Sequence, residues 1–152
     1  MRRAEREITD RAEMEEILLK AEVIHLGLYD GKEAYVVPMN FGYADGAIYV
    51  HGAIAGRKAD ILKTNPRVCF ETYCDYELVR GPVACSFSAQ FRSVIGYGVA
   101  AVVTDDKERE KGLTAIMMKL AKPPFYYNPE ALVKTNVIKI EISSMTGKKL
   151  MK

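Results

Sequence analysis

Residues 23–53 read VIHLGLYDGKEAYVVPMNFGYADGAIYVHGA, and two Asp-Gly pairs cut the stretch into three. Asp30-Gly31 and Asp45-Gly46 suit tight hairpin turns, where positive φ is needed and glycine supplies it without a steric cost. The pieces around them, 23–30, 33–43 and 47–53, are rich in Val, Ile and Tyr and too short for helices. They read as three antiparallel strands in a meander. Pro38 lies inside the second strand and withholds one N–H, which marks an edge or a break in the ladder.

Before the meander, Thr9 or Asp10 caps a first helix, and Glu13 stands three residues after Asp10 as in a capping box. Met14, Ile17, Leu18 and Ala21 follow at i, i+3, i+4 and i+7, one apolar stripe that ends near Lys20. After it, HGAIAGRKADILK (51–63) opens a short helix at Gly56, Arg57 and Lys58 that stops before Pro66. Residues 67–79 form a fourth strand. Residues 86–103 form one bent strand or two, with Gly96 and Gly98 as bend points. A helix follows over 106–121, with Leu113, Ile116, Met117 and Leu120 on one face, and Pro123-Pro124 stops it. Residues 125–134 are expected to be a loop. The last strand, 136–143, sets Val137, Lys139 and Glu141 against Ile138, Ile140 and Ile142, so one face is buried and one is wet. Six antiparallel strands with helices as plugs and lids predict a mainly β fold with helices, a small β-barrel. With no linker, repeat or low-complexity tract, residues 1–152 are expected to be a single domain.

The 152 residues are 49% hydrophobic and 28% charged, ordinary globular composition. A net charge of +2 gives no support for a nucleic-acid partner. The start, MRRAEREITD, has no apolar segment of a signal peptide. The longest apolar run, near 99–103, falls far short of the roughly 20 residues a membrane span needs. Cys69, Cys74 and Cys85 are odd in number and form no CxxC pair, and only His25 and His51 could join them. They read as free thiols in a reducing cytoplasm, with no metal site.

Arg57 and Lys58 sit where a helix already carries partial positive charge, so cations there are unfavourable. An anion bound at the helix start explains them. Phosphate suits free N–H groups, and Gly56 lets the backbone come close. The other reading is a solvated basic turn. His51 shares a strand face with Tyr49 and is either a packed, hydrogen-bonded residue or a proton donor. Tyr73, Tyr76, Tyr126 and Tyr127 are half-buried packing residues or border a pocket. Ser86 and Ser88 lack the base and acid of a hydrolase. Residues 96–98, GYG, lack the third glycine and following helix of a dinucleotide fingerprint.

The stretches YVVPMNFGY, AIYVHGA and GRKADILKTNPRVCFE, with the intervening Asp-Gly turn, resemble the pyridoxamine 5′-phosphate oxidase-like split barrels. Within them the chain is most similar to the 5-nitroimidazole resistance (Nim-like) proteins. MRRAEREIT, CSFSAQFRSVIGYG and VIKIEISSMTGKK agree, and the likeness is weakest between Asp106 and Lys134. The resemblance implies a six-stranded split barrel that holds FMN at a homodimer interface. By that likeness Val37, Pro38, Met39, Asn40 and Phe41 line the isoalloxazine. His51, Gly52 and Ala53 lie near the ring and ribityl chain, and His51 is the candidate catalytic residue. Arg57 and Lys58 hold the phosphate, and Arg92, Ser93 and Val94 reach the flavin from the second subunit. The implied activity passes electrons from NAD(P)H or another donor to a small flat acceptor, a nitroaromatic in the nearest family. The alternative is a flavin- or haem-binding sensor without turnover. The chain departs from true pyridoxamine phosphate oxidases at its end, SSMTGKKLMK, where no arginine follows Arg109.

Overall fold

The computed structural model describes residues 3–151. Asp10 caps the first helix, α1 (Arg11–Lys20), by accepting from the Ala12 N–H at 3.0 Å. The expected capping box does not form. The Glu13 carboxylate instead accepts two hydrogen bonds from Lys149 Nζ, each 2.9 Å, and a charged donor outcompetes a backbone N–H. Met14, Ile17 and Leu18 are buried as their spacing requires.

Seven strands follow the chain: β1 (Glu7–Ile8), β2 (Val23–Tyr29), β3 (Ala34–Ala44), β4 (Ala47–Gly52), β5 (Arg67–Val79), β6 (Ser88–Val102) and β7 (Asn136–Leu150). Their order is β1-β7-β4-β3-β2-β5-β6, and β6 also pairs with β7. Six antiparallel strands therefore close a ring, and the two-residue β1 lies outside it against Lys148 and Gly147. The fold is a mainly β barrel with flanking helices, as the meander implied. Pro38 does not interrupt β3: it sits opposite His25 in a β3–β2 ladder that runs on to Ala34.

The ring is open in one place. β3 and β4 pair only from Ala44↔Ala47 to Phe41↔Val50. Beyond that point β4 follows β7 to Gly52↔Asn136, while β3 follows β2 to Tyr29↔Ala34. The two strands part, and α2 (Arg57–Thr64) begins four residues after β4 ends.

Ile24, Leu26, Phe41, Ile48, Val50, Phe70, Val94, Ile138 and Ile140 fill the barrel, with Ile17 and Leu18 from α1. α3 (Asp106–Leu120) covers a second cluster of Tyr49, Leu113, Ile116 and Val137 outside it. α3 approaches β3 so closely that a Cβ on Gly42 would lie 2.4 Å from the Ala115 carbonyl carbon. The Tyr49 hydroxyl donates to Glu108 at 2.5 Å, and burial pushes the phenol up to about 12. Lys119 leaves α3 to cap α1: Nζ donates to the Leu18 and Ala21 carbonyls at 2.6 Å each, over the Phe41 ring at 3.3 Å. A cation on the last carbonyls of a helix is favoured by its dipole. Burial pushes the Lys119 ammonium down to about 7.

The 86–103 stretch takes the one-strand alternative, over Ser88–Val102. Three expectations need correction. The last strand runs to Leu150, because its polar end pairs with β6 at the rim. The expected loop contains α4 (Pro129–Lys134), which Asn128 caps and Pro129 starts. Leu120 does not join the buried stripe and is 56% exposed at the last position of α3.

Candidate functional site

The parting of β3 and β4 brings together Met39, Gly52 and Lys58. Gly56 precedes α2 with φ 114°, a conformation that side chains resist, and no side chain caps the helix's first turn. The first backbone bond into the helix is Asp60 N–H to the Gly56 carbonyl at 3.0 Å. The N–H groups ahead of it lack intrahelical acceptors, as at any helix start. Lys58 sends its ammonium from this turn into the split, 3.4 Å from Met39 Sδ. A Cβ on Gly52 would lie 2.5 Å from Lys58 Nζ, so a side chain there would displace the ammonium from its present position. Lys58 is half-buried. Burial pushes its pKa down, and among the described residues no carboxylate pairs with it.

Arg57, next to it, is differently placed. Its guanidinium donates to Glu33 at 3.0 Å and Asp30 at 3.4 Å and lies 4.8 Å above the Tyr35 ring. Those carboxylates belong to the β2–β3 hairpin and raise the arginine's pKa.

The other expected site residues separate by face. Pro38 and Asn40 are exposed on the outer side of β3, and Val37 and Met39 are half-buried on the inner side. Phe41 is fully buried in the barrel beneath Lys119. His51 and Ala53 are exposed, with His51 opposite Val137 on β7. On β6, three strands from β3, Val94 is fully buried and Ser93 points outward. Arg92 is held inside its own chain: Nε donates to Asp75 at 2.7 Å, and the two terminal nitrogens donate to Glu16 at 3.0 and 3.1 Å.

The residues in the split suit an anion. They offer one desolvated cation, a helix start without a side-chain cap, and a glycine, and the acidic residue of that first turn, Asp60, is paired with Lys63 at 3.0 Å. Charge-assisted bonds in such a place are the strong ones. Among the described residues no three His, Cys, Asp or Glu side chains converge on a metal position. No helix among them is long and apolar enough to cross a membrane.

A ring closed everywhere but between two strands defines a split β-barrel. The family model described as pyridoxamine 5′-phosphate oxidase matches residues 10–149, and the chain belongs to that family. A solved structure of a candidate 5-nitroimidazole antibiotic resistance protein from Bacteroides thetaiotaomicron is 33% identical. The alignment covers 94% of this chain and 86% of that one, with a TM-score of 0.83. The flavocytochrome Anf3 from Azotobacter vinelandii is 22% identical over all of this chain and 72% of its own, at TM-score 0.83. An FAD- and haem-binding protein from Mycobacterium smegmatis is 16% identical over 97% and 74%, at 0.84. At such identities the last two speak to the fold. No curated protein sequence matches the chain.

Proposed function

We propose that this chain binds FMN, with Lys58 and the open first turn of α2 holding the phosphate. The observation that carries the reading is the half-buried Lys58 ammonium, unpaired among the described residues, in the split between β3 and β4. A phosphate there satisfies the free N–H groups and favours the lysine's charged form. Arg57 adds a second cation, since its pair with the exposed Glu33 is of the weakly held surface kind. Val37, Pro38, Met39 and Asn40 offer the open edge of β3 to the ring, and Phe41, paired with Val50 and buried, bounds that edge. Gly52 and Ala53 flank the chain that joins ring to phosphate. His51, exposed beside the split, is the group we assign to proton delivery.

Bound FMN would supply reversible electron transfer between NAD(P)H or another donor and a small flat acceptor. The relative described for 5-nitroimidazole resistance supports a nitroaromatic acceptor, and the family to which the chain belongs supports a flavin. The sensing alternative uses the same site without turnover.

We also propose a homodimer. Val36, Cys69, Ile95, Tyr97 and Val99 form a largely apolar outer face across β3, β2, β5 and β6, and most of it is exposed. Large exposed apolar patches mark interaction sites, and two-fold pairing is the common way to cover one. Ser93 stands on that face, ready to reach a partner's flavin, with Arg92 and Val94 fixing its strand. The three free thiols suit a reducing compartment, and we place the protein in the cytoplasm.

The test is to incubate the purified protein with FMN, desalt it and record the visible spectrum. The expected result is retained flavin absorption that bleaches anaerobically with NADPH or NADH and returns on adding a 5-nitroimidazole. A colourless protein contradicts the cofactor. Retained flavin that neither nucleotide reduces favours the sensor.

A further inference from the structure

On the outer face of the barrel the register sets two rows of residues across β3, β2, β5 and β6. One row runs Val36, Gly27, Cys69 and Tyr97, and the next runs Pro38, His25, Glu71 and Ile95. The first row is largely apolar, and Pro38 and Ile95 end the second. An ionisable pair is thus inlaid in an apolar face. His25 Nδ1 lies 3.0 Å from Glu71 Oε2, and the two side chains are 40% and 35% exposed in the single chain. A surface pair of this kind adds little to the stability of its own chain. It matters more on a face that a second copy covers, because both groups lose their water there.

The other charged groups nearby stand off the pair. Lys20, at the end of α1, and Glu22, just after it, border the same hollow as His25 and Tyr73. Lys20 is clamped to Asp75, which also accepts from Arg92. Arg67 is exposed at the far end of β5, level with Val99 on β6. In its two ladders His25 faces only Pro38 and Glu71.

Protonated, the pair is neutral as a whole, and His25 donates to the Glu71 carboxylate as one charge to its opposite. With His25 deprotonated, the carboxylate keeps only a neutral donor, and covering it leaves an uncompensated charge. Covering the face therefore favours the protonated form. We propose that the His25–Glu71 pair makes the association of two copies pH-dependent, each protomer entering the dimer with the pair protonated. The proposal rests on the dimer reading and adds its regulation. The sign follows from linkage. The pair holds its proton more tightly in the dimer, so its contribution is complete at low pH and is lost as pH rises through the range where histidine titrates, about 5 to 8. Net charge acts the other way: the chain carries +2 at pH 7, and its self-repulsion lessens as pH rises.

The test is the dimer dissociation constant, measured by sedimentation equilibrium from pH 6 to 8.5 on the protein as purified and on His25→Phe and Glu71→Gln. For the parent it is expected to rise at least about tenfold across that range, since each proton taken up per dimer is worth tenfold per pH unit. Both variants lose the rise: phenylalanine takes no proton, and glutamine leaves no carboxylate for a proton to balance. A parent dimer whose constant is flat or falls with pH overturns the proposal and leaves the dimer standing. A rise that survives in either variant overturns it as well. A chain that is monomeric throughout removes the dimer and this proposal with it.

Discussion

Asp75 shows how much one residue can hold. Lys20 and Arg92 keep its carboxyl at about 2, below the ordinary value of about 3.9. Folding therefore favours its ionised form. The stabilisation is fully present above about pH 4 and is lost as pH falls through about 2. Asp75→Asn is expected to lower stability at neutral pH and to flatten its decline between about pH 4 and 2, followed by urea unfolding. An unchanged slope contradicts the clamp. The residue scale was partly legible in the sequence. Cations at the start of α2 stood out against the helix dipole, but Arg57 and Lys58 looked alike. Asp30 and Glu33 tell them apart, and they reach Arg57 from a hairpin 24 or more residues away. Arg92 likewise gave no sign that Glu16 and Asp75 would claim it. The bulge in β5 between Cys74 and Glu77 had a signal: Val68, Phe70, Thr72 and Cys74 alternate inward, and the pattern breaks at Tyr76, which is due inward and is exposed.

At the scale of elements, local chemistry decided what could be read. The Asp-Gly turns and Val/Ile/Tyr runs marked β2, β3 and β4 because turn and strand propensities agreed there. α1 declared itself by spacing and by its Asp cap, and α3 by spacing. β7 was read only to residue 143 because alternation of large apolar residues stops there. Its second half lies on the rim, where Gly147 is buried against Ile8 and Met14 and a Cβ would come within 2.7 Å of Ile8. Small residues are demanded at that point, and they read as loop. α4 was missed although Asn128-Pro129 is a cap followed by a helix-starting proline. β1, at two residues, has no periodicity to find.

At the scale of the molecule, the account needs two copies of the chain. The split lies between β3 and β4, and Ser93 lies three strands from β3, on β6. Only a second chain brings the two together. Ile95 sits in mid-face, between Glu71 on β5 and Thr146 on β7. Ile95→Asp is expected to convert a dimer into a monomer in light scattering at micromolar concentration. An unsubstituted chain that is already monomeric there contradicts the shared site. The central claim is that Lys58 and the start of α2 receive a flavin's phosphate. The most direct measurement is a fluorescence titration of the protein with FMN and with riboflavin, which lacks the phosphate. We expect FMN to bind at least about tenfold more tightly, the worth of one charge-assisted contact, and Lys58→Ala to cut that preference sharply. Equal affinity for the two flavins, or a preference unchanged by Lys58→Ala, contradicts the account.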